Sequence, residues 1–181
     1  MSNGGPDPLG GLAPRYPGEI LLSDKPKLDE IYAYYIRDFF DFPFQCNAIR
    51  VKIKEELYTN HAEDGLPQFY SQYHEKFVHL LTRVVPGRKV FESKKRRFKH
   101  NRANRLHWIK PILQNWNDPR IIYFQFMEED GSIREYFWYK AKEYLVILEP
   151  VSPDYYLVTA FCVDYKNQPY YEAKYRGRCG P

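Results

Sequence analysis

The C-terminal part of the chain constrains the fold most strongly. Residues 120–164 contain four runs rich in aromatic and β-branched residues, at 120–128, 132–140, 143–149 and 155–164. Short links separate these runs: an Asp-Gly pair, a tight Ala-Lys-Glu link and a segment with two prolines. Runs of this kind joined by tight turns are typical of antiparallel strands. We therefore expect a four-stranded antiparallel meander.

The N-terminal part predicts a helix and a strand ahead of this sheet. Apolar residues recur at helical spacing over 28–40, and Pro43 ends that pattern. Residues 47–57 alternate between apolar and basic side chains, which indicates a strand with one face in water. Residues 1–18 are rich in glycine and proline and have little to bury, so we expect a disordered leader.

The middle of the chain is less clearly patterned. Residues 69–85 fit a helix in their first half, whereas FVHLLTRVV favours a strand by β-propensity. We expect 86–100 to be an exposed excursion and 102–116 to be a helix that is kinked or restarted at Pro111.

These elements predict an α+β fold, with helices packed on a four-stranded antiparallel β-sheet meander behind an N-terminal helix and strand extension. The expected division is a disordered leader (1–18), the extension (19–69), a core (70–176) and a flexible tail (177–181).

Composition limits the class of protein. An apolar fraction of 44% over 181 residues is enough for one domain with a real core. No apolar run approaches the ~20 residues of a membrane span, and the N-terminus lacks the layout of a secretion signal. Three cysteines without CxxC spacing favour a reducing compartment. We expect a cytoplasmic protein without a membrane partner.

Basic residues are concentrated in one block. The net charge is only +4, yet eleven Lys and Arg residues lie between Arg83 and Lys110 against a single acid, Glu92. This pattern predicts a surface that faces a polyanion such as RNA. The alternative is a solvated loop that only keeps the protein soluble.

Motifs of several enzyme classes are absent. The sequence has no GxxxxGK[ST], GxGxxG, HExxH or GxSxG motif, and its five histidines lack the spacing of metal ligands. We therefore predict neither a metal nor a cofactor. If the chain acts on nucleic acid as an enzyme, metal-free acid–base chemistry is favoured.

Metal-free cleavage of RNA uses the 2′-hydroxyl of the substrate as the nucleophile. The protein then supplies a general base, a general acid and donors for the phosphate oxygens. Histidine suits the proton transfers, because its pKa is about 6.5. Arginine suits the phosphate, because its planar fork donates two parallel hydrogen bonds.

The stretch NRANRLHWIKPIL (101–113) supplies such residues on a predicted helix. Leu106, Ile109 and Leu113 share one face and are expected to pack on the sheet. His107 lies on a different face, with Trp108 beside it. The alternative for this pair is a surface histidine and an edge-of-core tryptophan.

Several segments together resemble a known family. FVHLLTR, a basic loop, RANRLHWIKPILQN, YFWYK, YLVILEP and YYLVTAF are similar to the phage and mobile-element branch of the barnase/EndoU/colicin/RelE-like ribonucleases. The resemblance covers 70–165, and the region before it has no counterpart in the family core. It implies metal-independent RNA cleavage on the sheet, often by a toxin or effector, and hence an immunity or antitoxin partner.

The resemblance also implies roles for single residues. His79 matches an early basic position as a base or acid, while the Arg/His helix segment provides a phosphate clamp and a second proton carrier. Tyr139 and Thr159 match positions on the strands, although both are also ordinary strand formers. The predicted catalytic set is His79, Arg102, Arg105, His107, Tyr139, Lys140 and Thr159. The predicted nucleic-acid-binding set is Arg88, Lys89, Lys94, Lys95, Arg96, Arg97, Lys99 and Trp108.

Three functions remain open at this point. The first is a metal-independent endoribonuclease that acts by 2′-hydroxyl attack, as a toxin or phage-related effector. The second is a non-catalytic nucleic-acid-binding protein that uses the basic block for phosphates and its aromatic residues for base stacking. The third is a protein-interaction module of a mobile element.

Overall fold

The computed structural model describes residues 7–85 and 95–180. Within them the α-helices and strands follow in this order: α1 (Lys25–Ile36), β1 (Gln45–Cys46), β2 (Ile49–Lys52), α2 (Glu75–Leu81), β3 (Thr82–Val85), β4 (Lys95–Phe98), α3 (His100–Ala103), α4 (Ile109–Gln114), β5 (Ile122–Met127), β6 (Ile133–Tyr139), β7 (Tyr144–Val151), β8 (Asp154–Cys162) and α5 (Gln168–Arg176). A π-helical turn, Arg37–Asp41, extends α1.

The main sheet has six strands rather than four. The four predicted C-terminal strands exist as β5 to β8 and pair antiparallel in sequence order. Two further strands extend the sheet beyond β8, giving the order β1-β2-β8-β7-β6-β5. Since β2 runs parallel to β8, the sheet is mixed. The expected four-stranded antiparallel meander is therefore wrong, although the α+β class holds.

The error has a physical reason. The alternating pattern of the N-terminal strand shows which of its faces is wet, but not which strand lies beside it. Its partner is about a hundred residues away in sequence, and the pairing joins only Val51 to Tyr155 and Lys52 to Tyr156. A parallel pair needs a long crossover connection, and no local turn signal marks it.

Helices cover both faces of the sheet. One face packs against α1, α2 and α4, with fully buried side chains such as Tyr35, Phe77 and Leu113. The other face carries Trp138 and Ile147 and lies against α5, a helix that we did not expect.

An ion pair holds α5 on its face of the sheet. Lys174 Nζ lies 2.6 Å from Glu128 Oε2 and 2.9 Å from the hydroxyl of Tyr136. Because this pair is largely shielded from water, removing one partner would leave a buried unpaired charge and would destabilise the packing of α5 more than the loss of a surface pair.

The predicted helix 102–116 is broken into short turns. α3, a 3₁₀ turn at Leu106–Trp108 and α4 replace one continuous helix. The break lies at Asn104, whose side chain bonds to the N-terminal segment instead of facing water. The predicted packing face is nevertheless confirmed, because Leu106, Ile109 and Leu113 are all buried.

The ambiguous segment 69–85 contains both a helix and a strand. FVHLL belongs to α2 and TRVV forms β3, so the strand expected for the whole stretch is limited to its last four residues. β3 pairs antiparallel with β4, which lies within the predicted excursion 86–100. The central residues of that excursion, 86–94, lie outside the described part of the chain.

Disorder was expected for residues 1–18, but the segment 7–18 packs on the domain; residues 1–6 lie outside the described part of the chain. Leu9 is fully buried and Leu12 nearly so. The side chain of Asn104 accepts from the backbone N–H of Tyr16 at 2.6 Å and donates to its carbonyl at 2.7 Å. The backbone N–H of Arg15 donates to the Asn104 carbonyl at 2.9 Å. The Asn104 side chain thus satisfies the backbone N–H and C=O of Tyr16, as a neighbouring strand would do in a sheet.

We predict that Asn104→Ala loosens the N-terminal segment. The substitution leaves two backbone groups of Tyr16 without partners, so the free energy of unfolding should fall by about 2 kcal/mol. Chemical denaturation measures the loss, and amide hydrogen exchange should show faster exchange at residues 9–16. Asn117→Ala, at an exposed position, is the control. Unchanged exchange in Asn104→Ala would contradict the assigned role.

Candidate nucleic-acid interface

The outer edge of β8 determines where a site can form. β2 covers this edge only at Tyr155 and Tyr156, so the remainder of the strand has no strand partner on that side among the described residues. α2 and α3 pack there instead. Lys76 of α2 donates from Nζ to the carbonyl of Val158 at 2.9 Å. Further along the strand, a cleft opens between α3, β8 and α5.

The cleft is basic and about 560 Å³ in volume. Three cations from three different segments line it: Arg83 of β3, Lys99 after β4 and Arg102 of α3. Among the described residues, Asp164 is the single carboxylate that lines the cleft, and Thr159 contributes a hydroxyl. An excess of positive charge in a concave space attracts anions.

Local structure fixes the backbone of Lys99 and the side chain of Arg102. The backbone N–H of Lys99 donates to the carbonyl of Leu81 at 2.8 Å, which ties the end of β4 to the end of α2. Arg102 Nη1 donates to the carbonyl of Thr82 at 3.2 Å. The Arg102 guanidinium lies over the ring of Phe161, 5.1 Å from its centroid. The arginine head is therefore held in place and is not a freely moving surface group.

Burial lowers the pKa of Arg102; the Tyr144 hydroxyl opposes this shift, and the positive charge of Arg83 adds to it. An arginine stays protonated at neutral pH in spite of such a shift. Burial and a neighbouring cation thus both disfavour the charge of Arg102. An anion in the cleft would relieve both effects.

The hairpin of β3 and β4 extends this basic surface. Arg83 lies directly opposite Arg97, and Val85 lies opposite Lys95, so three cations share one side of the hairpin. Like charges directly opposite each other destabilise a strand pair. Arg96 faces the other side, where it reaches Thr82 Oγ1 at 3.0 Å and Asp64 at 3.4 Å. The hairpin therefore has one internally bonded arginine and one exposed cationic side.

Tyrosines form the wall of the cleft on the α5 side. Tyr170 is 57% exposed, whereas Tyr171 is partly buried and packs against Phe161 at 5.7 Å between ring centroids. The two tyrosine rings are 5.0 Å apart and nearly perpendicular. The partly buried ring of Tyr171 lies against the exposed ring of Tyr170, and both rings line the same cleft as the cations.

His79 lies outside this cleft. It sits on α2 rather than on a strand, and it lines a separate pocket with Lys54, Lys76 and Glu149. Burial lowers its pKa to about 4, with Arg96 and Lys76 adding to the effect. His79 is therefore neutral at pH 7, and its predicted position beside the other catalytic residues is not observed.

His107 lies in a third place, under the N-terminal segment. Its Nε2 is 3.1 Å from the carbonyl of Ala13, which also accepts from Trp108 Nε1 at 2.9 Å. Burial lowers the pKa of His107. Trp108, predicted to bind nucleic acid, is buried and packs on Tyr144, so it presents no face to a ligand.

The other predicted catalytic residues are also engaged elsewhere. Lys140 pairs with Glu172 at 2.6 Å, and Tyr139 is buried. Arg105 lies over the ring of Trp108, 5.3 Å from its centroid. Of the predicted catalytic set, the structure brings only Arg102 and Thr159 together in the basic cleft.

The predicted binding set is divided in a similar way. Lys99 lines the cleft, Lys95 and Arg97 are exposed on the hairpin, and Arg96 is bonded internally. Arg88, Lys89 and Lys94 lie outside the described residues.

Sequence reasoning missed the contribution of α5. Tyr170 and Tyr171 lie on this helix, whose start is marked by Pro169 and whose last turn is basic. Proline in the first turn and basic residues in the last are helix signals that the sequence does carry. They were overlooked because the four strands explained the region before them.

No group of three or more His, Cys, Asp or Glu side chains within 7–85 and 95–180 is arranged to hold a metal ion. In the same part of the chain, no helix is both long and apolar enough to cross a membrane.

We predict that His79 makes the stability of the protein sensitive to acid. Its pKa is about 4 in the folded state, against about 6.5 in an unfolded chain. The unfolded state therefore binds the proton first, and stability falls as the pH drops from 6.5 towards 4. Urea denaturation across this pH range should show that the free energy of unfolding falls more steeply with decreasing pH in the wild type than in His79→Gln. Parallel pH profiles would contradict the burial of His79.

Comparisons with protein-family models, curated proteins and solved structures find no match to this chain. The resemblance to ribonucleases therefore rests on the sequence motifs alone, and the site is interpreted from its own chemistry.

Proposed function

We propose that the protein binds RNA through its backbone phosphates in the basic cleft and along the adjoining hairpin. The observation that carries this proposal is the meeting of Arg83, Lys99 and Arg102 in one cleft to which the described residues contribute a single carboxylate. Cations converging from separate segments are the usual way to hold phosphate groups.

The chemistry of the cleft suits phosphate better than a small apolar ligand. A guanidinium donates parallel hydrogen bonds to two phosphate oxygens, and a threonine hydroxyl donates a further one. Arg102 is partly buried, so its attraction to a phosphate is screened less than that of a surface lysine. The hairpin adds cations that a second phosphate would contact, and a chain of phosphates therefore suits the surface better than a single anion.

We predict that Arg102→Gln weakens RNA binding at least tenfold, because a charge-assisted hydrogen bond contributes about 1.5–3 kcal/mol. Fluorescence anisotropy with a labelled 2′-O-methyl oligouridylate, which cannot be cleaved through its 2′-oxygen, measures the affinity in EDTA. Lys142→Gln removes the same charge at an exposed position outside the cleft and should have little effect.

The dependence on salt separates this proposal from protein binding. Affinity for the oligonucleotide should fall steeply as KCl rises, with a slope smaller in Arg102→Gln than in the wild type. Equal affinities for the two variants, or no binding by the wild type at low salt, would overturn the proposal.

Metal-independent RNA cleavage is the second candidate function. The specific observation in its favour is that Arg102 and Thr159, two of the positions to which the ribonuclease resemblance gives a role at the phosphate, share the cleft, whereas Arg105 of the same helix segment does not line it. His79 and His107 lie elsewhere, so the proton carriers would have to come from Lys99, Asp164 or Tyr171. A toxin or effector role in the cytoplasm, with an antitoxin partner, belongs to this candidate.

We predict that any cleavage of unmodified RNA in EDTA is lost in Arg102→Gln and retained in His107→Gln. Arg102 would hold the reacting phosphate, whereas His107 bonds to the N-terminal segment. Gel analysis of a labelled single-stranded RNA measures the products. The opposite pattern, with loss only in His107→Gln, would place the chemistry outside the cleft. If the wild type leaves the RNA intact, the cleavage proposal is wrong and RNA binding without cleavage remains as the proposed function.

A further inference from the structure

We infer that the cleft is specific for single-stranded nucleic acid and stacks one unpaired base on Tyr170. This inference rests on the proposed RNA binding and names the form of the substrate. It is carried by an exposed aromatic ring of α5 in the lining of the same cleft as the cations, which phosphate binding alone does not require.

The cleft is lined by two chemically different groups of side chains. Arg83 and Arg102 come from β3 and α3, whereas Tyr170 comes from α5. A nucleotide has the same division, with a charged phosphate at one end and a flat base at the other. An aromatic face stacks on any base, and such stacking contributes about 1–3 kcal/mol per base.

The ring of Tyr170 is both exposed and supported. An exposure of 57% leaves most of its surface open to a ligand, and the perpendicular ring of Tyr171 lies directly beside it. The ion pair of Lys174 with Glu128 anchors the same helix to the sheet. Lys174 Nζ is also 5.3 Å from the Tyr170 ring centroid. A platform held in this way loses little conformational entropy when a base stacks on it.

The size of the cleft favours an unpaired strand. Its volume of about 560 Å³ is that of a site for one small ligand, typically about 300–1,000 Å³. In a duplex the faces of the bases are covered by their neighbours, so an internal base cannot stack on a protein ring without being unpaired. A single strand exposes both its phosphates and its bases to the two groups of side chains in the cleft.

The test compares three probes with the same fluorescent label: a 2′-O-methyl oligouridylate, an abasic oligomer with the same number of phosphates, and the oligouridylate in a duplex. The wild type should prefer the oligouridylate over the abasic oligomer at least fivefold, and should also prefer it over the duplex at equal phosphate concentration. Tyr170→Ala should bind the oligouridylate and the abasic oligomer equally, whereas Tyr170→Phe should keep the preference.

Tyr175→Ala is the matched control, because Tyr175 is an exposed tyrosine of the same helix that does not line the cleft. It should behave as the wild type. Equal binding of the oligouridylate and the abasic oligomer by the wild type, or an unchanged preference in Tyr170→Ala, would overturn the stacking inference. If Arg102→Gln still weakens binding in that case, the proposed RNA binding survives. If the wild type binds none of the probes, both proposals fail.

Discussion

The incomplete pairing of β8 is the constraint on which the rest of the site depends. One edge of this strand is paired along its length with β7, whereas β2 covers the other edge at two residues only. Backbone N–H and C=O groups that lack a partner in a neighbouring strand need another hydrogen-bond partner. Here α2 and α3 close over the edge, and the Nζ of Lys76 binds the carbonyl of Val158. The hairpin of β3 and β4, which connects these two helices, is thereby placed beside the sheet.

This arrangement concentrates positive charge at one place. Arg83, Lys99 and Arg102 lie within about twenty residues of one another in sequence, but they meet only because the chain turns at the hairpin and again at α3. The cost is mutual repulsion, visible in the direct opposition of Arg83 and Arg97. The pKa of Arg102 is lowered mainly by burial, and the charge of Arg83 adds to that shift. An arrangement that repels itself when empty is stabilised by an anion, and the phosphates of RNA supply several in a row.

Sequence patterns predicted the four C-terminal strands well, but they predicted a continuous helix over 102–116, missed α5 and said little of long-range relations. The bounds of the four C-terminal strands differ by a few residues at most from those observed, because alternation and turn chemistry are local signals. The parallel partner of β8 and the packing of Leu9 on the core are long-range, and nothing in the local pattern specifies them. For the site, the motif resemblance named Arg102 and Thr159, which the fold brings into one cleft. It grouped them with His79 and His107, which the fold places in other pockets.

The most direct test of the basic cleft is an NMR titration of the ¹⁵N-labelled protein with a 2′-O-methyl oligouridylate. The account predicts that the side-chain Nε–H signals of Arg83 and Arg102 shift, together with the backbone amides of Thr159, Phe161 and Tyr170. The signals of His107 and of the N-terminal segment should stay in place. Shifts centred on His107, or on the pocket of His79, would contradict the account.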